Sequence, residues 1–213
     1  MLDNTSNKTI REQFHYFKPD YDTKERFISY WHQINEVMSL KPKKVLEIGI
    51  GNGFVTRYLK ERGLNVTTLD IVQELEPNVV GSILSIPFTQ KAFDAVTCCE
   101  VLEHLPYTDF PKALKGIYRV SRKNVILSLP DHTAVYRFNI ELPKIKPIKK
   151  LIPHPFPRPS PHEYDGVHYW IIGKTGYSLK KIEEDIKRSG FKVIKTYRVF
   201  EFYGHRFFLL EKL

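Results

Sequence analysis

KVLEIGIGNGF, residues 44–54, decides the fold. Val45, Leu46 and Ile48 make a short apolar run around Glu47, which predicts a buried strand. Gly49, Gly51 and Gly53 then interrupt any regular element, and Phe54, Val55, Tyr58 and Leu59 recur at helical spacing up to a stop at Gly63. A strand that enters a helix through so short a turn needs backbone conformations that side chains resist. It also lets the main chain come close to a ligand.

The same alternation continues outward. NVTTLD (65–70) predicts a second strand ending on Asp70, Val79-Val80 a weak third and FDAVTCC (93–99) a fourth that is buried on both faces. A helix over about 110–119 and a strand over 124–129 follow. A further helix from Ser178 stops near Gly190, and the runs 191–202 and 205–213 meet at Tyr203-Gly204, so they must pair antiparallel. Upstream, Phe27, Tyr30, Trp31, Ile34, Val37 and Met38 form a helical stripe over 23–39 that ends at Lys41-Pro42. Alternating strands and helices predict an α/β protein with a mostly parallel sheet covered by helices on both faces.

Composition narrows the setting. A chain of 213 residues can bury a core without cross-links. Its only cysteines, Cys98 and Cys99, are adjacent within an apolar strand, which points to a reducing, cytoplasmic compartment. No apolar stretch is long enough to span a bilayer, and MLDNTSNKTIREQF at the start lacks the apolar core of a signal peptide. The formal charge is +9, and residues 132–161 alone contribute +5 through Arg137, Lys144, Lys146, Lys149, Lys150 and Arg158 against Glu141.

The glycine turn points to a nucleoside. Asp70 ends the next strand 19 residues beyond Gly51, where an acid can accept both hydroxyls of a ribose. The lysine and hydroxyl residue of a phosphate-binding loop are missing, and the spacing is G-x-G-x-G rather than G-x-G-x-x-G. With Glu47 before the first glycine, VLEIGIGNG resembles the first motif of class I S-adenosylmethionine-dependent methyltransferases. TLDI, SILSIPF and FDAVTCCEVLEHL continue that resemblance in order over residues 43–129.

The resemblance implies a Rossmann-like seven-stranded methyltransferase sheet, mostly parallel with an antiparallel last strand. It implies an N-terminal helical cap over 1–40 and a methyltransferase domain over 41–213, with a Pro/Lys-rich substrate lid at about 131–168. S-adenosylmethionine would lie against Gly49, Ile50, Gly51, Asn52 and Gly53, with Glu47 toward its amino group, Asp70 on the ribose and Ile71 on the adenine face. Where many relatives carry an aspartate for the adenine amino group this chain has Ser82, so either Ser82, with Ile83 and Leu84, takes that place or Ser82 is only a turn residue; Cys99 and Glu100 would lie beside the methionine part.

A sulfonium methyl is already activated, so transfer needs mainly a positioned acceptor and, for a hydroxyl, loss of its proton. Glu100, Glu103 and His104 stand at i, i+3 and i+4, and a helical turn would put them on one face. Three readings stay open: Glu100 on the cofactor with His104 merely packing, His104 as general base, or a divalent metal site. The E-x-x-E-H segment resembles the metal-binding segment of small-RNA 2′-O-methyltransferases and of some quinone-biosynthesis O-methyltransferases. On that resemblance Glu100, Glu103, His104 and His168 (with His162 and His132 behind) would hold Mg²⁺, Mn²⁺ or Zn²⁺, and Glu103 and His104 are the catalytic candidates.

Residues 130–161 hold eight of the fourteen prolines, which predicts an irregular insertion without a regular helix or central strand. Its alternating lysines and aliphatic residues over 144–156 suit an anionic membrane surface presenting a lipid-like acceptor, RNA less well, or a soluble anionic metabolite; a lid with solvated lysines is the plain reading. The function expected is O-methylation of a small or lipid-like molecule, in the cytoplasm or peripheral on a membrane. The alternatives are a metal-dependent RNA ribose methyltransferase, a non-catalytic cofactor-binding protein and an NAD-dependent dehydrogenase.

Overall fold

A computed structural model describes residues 15–213; the stretch read above for a signal peptide, and the first part of the helical cap, lie outside the described residues. In chain order the elements are α1 (Lys24–Ser39), β1 (Lys44–Ile48), α2 (Phe54–Glu61), β2 (Asn65–Asp70), β3 (Val79–Val80), β4 (Phe93–Cys99), α3 (Phe110–Val120), β5 (Ser121–Pro130), β6 (Val135–Ile140), β7 (Ile148–Pro153), α4 (Leu179–Arg188), β8 (Phe191–Arg198) and β9 (His205–Lys212). Thr23 caps α1 by accepting from the Arg26 N–H, and Ser178 caps α4 by accepting from the Lys181 N–H.

Seven strands form one sheet in the order β3-β2-β1-β4-β5-β9-β8. The β1–β2, β1–β4, β2–β3 and β4–β5 pairs are parallel, while β9 runs antiparallel to both neighbours. Side-chain alternation along the strands feeds two cores. Leu46, Val96, Leu127 and Phe208 point to the face covered by α3 and α4, with Phe110, Leu114, Ile117, Ile182 and Ile186. Val45, Val66, Ile126 and Phe207 point to the face covered by α1 and α2, with Tyr30, Val37, Val55 and Leu59. Each fully buried aliphatic side chain adds about 1.5–3 kcal/mol, so a charge at Ile117, at the centre of α3's inner face, would strip that helix from the sheet.

Strand order reverses between β1 and β4. Crevices open at the C-terminal ends of strands at such a point, because the flanking helices depart to opposite faces. That geometry places the site.

Two expectations are corrected. The proline-rich insertion is irregular only in part: residues 154–161 carry no regular element, but β6 and β7 pair as a separate antiparallel hairpin. Pro143 and Pro147 fall in its connection and Pro153 ends β7, so no interior rung loses a donor. The run 191–202 also stops early, at Arg198, and six residues rather than a tight turn join β8 to β9. No helix among the described residues is long and apolar enough to cross a membrane.

Candidate active site

A cavity of about 480 Å³ lies at the reversal point, walled by the Gly49–Asn52 turn, Asp70, Ile71, Ser82, Glu100 and His104. Gly49 has φ +83, and a Cβ there would lie 2.3 Å from Val101 Cγ2. The turn can therefore fold only around a missing side chain. Gly51, at φ +53, would meet nothing among the described residues closer than the Tyr16 ring at 3.9 Å. Asp70 holds the turn from the next strand: Oδ2 accepts the Ile50 N–H and Oδ1 the Val72 N–H, both at 2.9 Å. Each oxygen keeps a lone pair for a ligand.

Of the other residues expected here, Glu47 is buried and accepts from the Thr56 hydroxyl; burial pushes its carboxyl up to about 7. Ile71 is 72% exposed along the cavity wall. Ser82 lines the cavity too, while its Oγ accepts the Leu84 N–H at 3.2 Å and caps a 3-10 turn. Asn52 ties the turn to the N-terminal helix by donating to Asp22 and Tyr30. Ile50, Ile83 and Cys99 stand in the wall. Gly53 and Leu84 do not: Gly53 is the left-handed N-cap of α2, and Leu84 packs against the core.

The strand-four tip departs from the expected helical turn. Glu100 has φ +53 and breaks away before the 3-10 turn Leu102–His104, so Glu100, Glu103 and His104 do not share a helical face. Glu100 Oε1 accepts from the Ser128 hydroxyl at 2.8 Å, and Oε2 lies 3.5 Å from His205 Nε2. Burial raises the Glu100 carboxyl to about 7 and lowers His205 to about 3, so a neutral imidazole meets Glu100 and the contact is polar rather than ionic.

Glu103 is fully buried, and neither carboxylate oxygen has a protein partner among the described residues. Burial and the neighbouring Glu100 push its carboxyl far up. Donor atoms of Glu103, His104 and His168 lie within 4.8 Å of one another. His104 Nδ1 is 2.9 Å from the Val167 carbonyl, which can only accept, so that nitrogen carries a proton. His168 Nδ1 is likewise 2.9 Å from Asp165 Oδ2. Hydrogen bonds to His168 hold the Asp165 carboxyl well below its ordinary range. Trp170 positions this loop: its ring is buried against Tyr107 and Phe110, its Nε1 donates to the Leu105 carbonyl at 3.1 Å, and the Tyr169 N–H donates to the Glu103 carbonyl at 2.8 Å. His132 and His162 stay outside the group; His162 instead meets the His168 carbonyl.

Residues 46–129 match the family model described as a methyltransferase domain. That segment is similar to a methyltransferase domain, and the seven-stranded sheet has the fold of S-adenosylmethionine-dependent methyltransferase structures. It is 35% identical over 105 residues to the ubiquinone biosynthesis O-methyltransferase of Pseudomonas aeruginosa, a match covering 42% of this chain and 44% of that one. The chain thus spans less than half the length of that relative. Among solved structures, an S-adenosylmethionine-dependent methyltransferase from Clostridium acetobutylicum superposes with a TM-score of 0.61 at 13% identity, covering 98% of this chain and 99% of that one. The Burkholderia thailandensis 1,6-didemethyltoxoflavin-N1-methyltransferase, with bound S-adenosylhomocysteine, gives 0.60 at 14% identity over 97% of this chain and 87% of that one.

Two polar side chains of this cavity were invisible to sequence reasoning. Arg26, one turn into α1, donates to the Tyr21 carbonyl and hydroxyl, stacks 4.0 Å over the Tyr21 ring and turns into the cavity. His205 comes from the far end of the chain to meet Ser29 at 3.0 Å and Glu100. Helical spacing identifies a face but not what the face meets. Nothing local in YGHRFF marks His205 as a cavity residue.

Proposed function

We propose that this protein transfers the methyl group of S-adenosylmethionine to a hydroxyl oxygen of a small molecule, assisted by a divalent metal ion. The observation that carries this reading is the Glu103 carboxylate, buried without a protein partner among the described residues and within 4.8 Å of ring nitrogens of His168 and of His104, which lines the nucleoside-sized cavity. A dry carboxylate is costly unless something cationic or a donor completes it. Each imidazole also gives its Nδ1 proton to a carbonyl or carboxylate, the arrangement that turns the other nitrogen toward a metal.

The donor set fits the cofactor. Asp70 has lone pairs for the ribose hydroxyls, the Gly51 backbone leaves room for the chain between ribose and sulfur, and Ile71 offers an apolar face to adenine beside Ser82 and Ile83. The methionine end is a zwitterion. Glu47 and Glu100 supply anions for its ammonium, and Arg26 a cation for its carboxylate. When bound, S-adenosylmethionine supplies an activated methyl group and a divalent ion lowers the pKa of the acceptor hydroxyl. The chain's own part is positioning: His104 lines the cavity with Glu103 buried beside it, and Gly166 and Val167 of the loop held by Asp165 close the wall there. The relatives named for O-methylation in ubiquinone biosynthesis support oxygen as the acceptor atom.

The test uses methyl-labelled S-adenosylmethionine with a panel of catechols and with total RNA, before and after chelation. The reading expects label on a catechol oxygen, loss in chelator, return with Mg²⁺, Mn²⁺ or Zn²⁺, and loss in Glu103→Gln. Full activity in chelator sinks the metal, and label confined to RNA moves the acceptor to a ribose.

A further inference from the structure

The β6–β7 hairpin has two unlike faces. On one, Lys149 Nζ bonds Glu201 Oε1 at 2.8 Å and the Arg137 guanidinium lies 5.8 Å from the ring centres of Phe200 and Tyr203. Arg137, Asn139, Lys149, Phe200 and Glu201 border a groove of about 270 Å³ against Lys24, Glu25 and Ile28 of α1. That face holds the hairpin to the body.

The other face turns outward. Three rungs lie on it in register, Tyr136 opposite Ile152, Phe138 opposite Lys150 and Ile140 opposite Ile148. Tyr136, Phe138, Ile148 and Ile152 are 44–55% exposed, and the connection adds Leu142 and Ile145, both more than half exposed. Lys150 on this face and Lys144 and Lys146 in the connection are exposed, with Glu141 the single acid of residues 132–161. An exposed two-stranded ribbon has little reason to keep so many apolar side chains in water, since soluble hairpins alternate polar residues on the open face.

We propose that this outward face docks on an anionic lipid bilayer. Tyr136, Phe138, Ile148 and Ile152 enter the boundary between headgroups and acyl chains, while Lys144, Lys146 and Lys150 lie against lipid phosphates. Lysine stems bury beside apolar side chains while their ammonium groups stay at headgroup depth, so one face can carry both. RNA would use the lysines but would leave the isoleucines dehydrated against nothing, and Tyr136 and Phe138 are the only stacking rings on the face. The first turn of α1 borders both the groove under the hairpin and the cavity. The proposal stands apart from methyl transfer, and its test reads binding alone.

The full chain is sedimented with vesicles of phosphatidylcholine alone or with phosphatidylglycerol at about one lipid in three. Binding to the anionic vesicles is expected to be tighter by about tenfold or more and to weaken with salt. The charge-neutral set Phe138→Ser, Ile148→Ser and Ile152→Ser should weaken it by about tenfold or more, and Lys144→Gln, Lys146→Gln and Lys150→Gln should remove the preference for anionic lipid. Phe138→Trp keeps the face apolar, and the emission of the introduced indole should shift to the blue on anionic vesicles. Equal behaviour with both lipids overturns the proposal, as does undiminished binding by the serine set or an unmoved emission in Phe138→Trp. A dimer that the serine set dissociates, or salt-sensitive RNA binding, in either case without lipid binding, assigns the face to another partner.

Discussion

Asp70 Oδ2 accepts the backbone N–H of Ile50 at 2.9 Å, so the acid at the tip of β2 fixes the glycine turn that follows β1. One carboxylate thereby shapes the turn and lines the cavity. Asp70→Ala removes both roles. Its affinity for S-adenosylhomocysteine should fall about tenfold to a hundredfold by calorimetry, consistent with the loss of one or two charge-assisted hydrogen bonds. An unchanged affinity would take the ribose away from Asp70.

The glycines of the turn should differ in their tolerance of a methyl group. Gly49→Ala puts a Cβ 2.3 Å from Val101 Cγ2 at φ +83 and should cost about 2–4 kcal/mol by urea denaturation. Gly51→Ala has a nearest neighbour at 3.9 Å and should cost about 1 kcal/mol, from backbone strain alone. Adding Val101→Ala should recover part of the first loss and none of the second. Equal costs would contradict the close approach.

Glu47 makes stability and ligand affinity run oppositely with pH. Burial raises its folded carboxyl from 4.5 to about 7, so the native state binds the proton more tightly than the unfolded chain. Stability from this group is complete below about pH 4.5, declines as pH rises toward 7 and is lost above it, by about 3 kcal/mol in order of magnitude. Glu47→Gln should therefore gain on the wild type between pH 5 and about pH 8, measured by urea midpoints. Affinity for the cofactor's ammonium should instead rise through about pH 7 as the carboxylate forms, and Glu47→Gln should flatten that rise. A wild-type rise that survives in Glu47→Gln would move the ammonium to Glu100.

Asp165 orients His168 through Nδ1 and collects the Val167 and His168 N–H groups on its other oxygen. Asp165→Ala should weaken Mn²⁺ binding about tenfold to a hundredfold by paramagnetic resonance, with S-adenosylhomocysteine affinity unchanged. Equal loss of both ligands would mean general damage to the loop.

The parallel sheet was legible because β1, β2, β4 and β5 carry apolar runs separated by helical stripes and glycine stops. The pattern placed the glycine turn and Asp70 on the same crevice. The hairpin was hidden because proline density averages over the insertion, whereas pairing depends on where each proline falls; Pro143 and Pro147 sit between the strands. The spacing of Glu100, Glu103 and His104 misled for a local reason. Glu100 takes a left-handed backbone that few non-glycine residues adopt, and its carboxylate swings to Ser128. His168 could be guessed but not placed, because its position depends on Trp170 burying against Phe110 far away in sequence.

The account rests on an adenosyl sulfonium ligand held by Asp70, Glu47 and Arg26. Titration calorimetry of the wild-type protein with S-adenosylhomocysteine and, separately, NAD tests this most directly. It predicts saturable binding of the first at micromolar strength or better, weakened in Asp70→Ala and Arg26→Gln, and no heat from the second. Saturation by NAD, with S-adenosylhomocysteine inert, would contradict it.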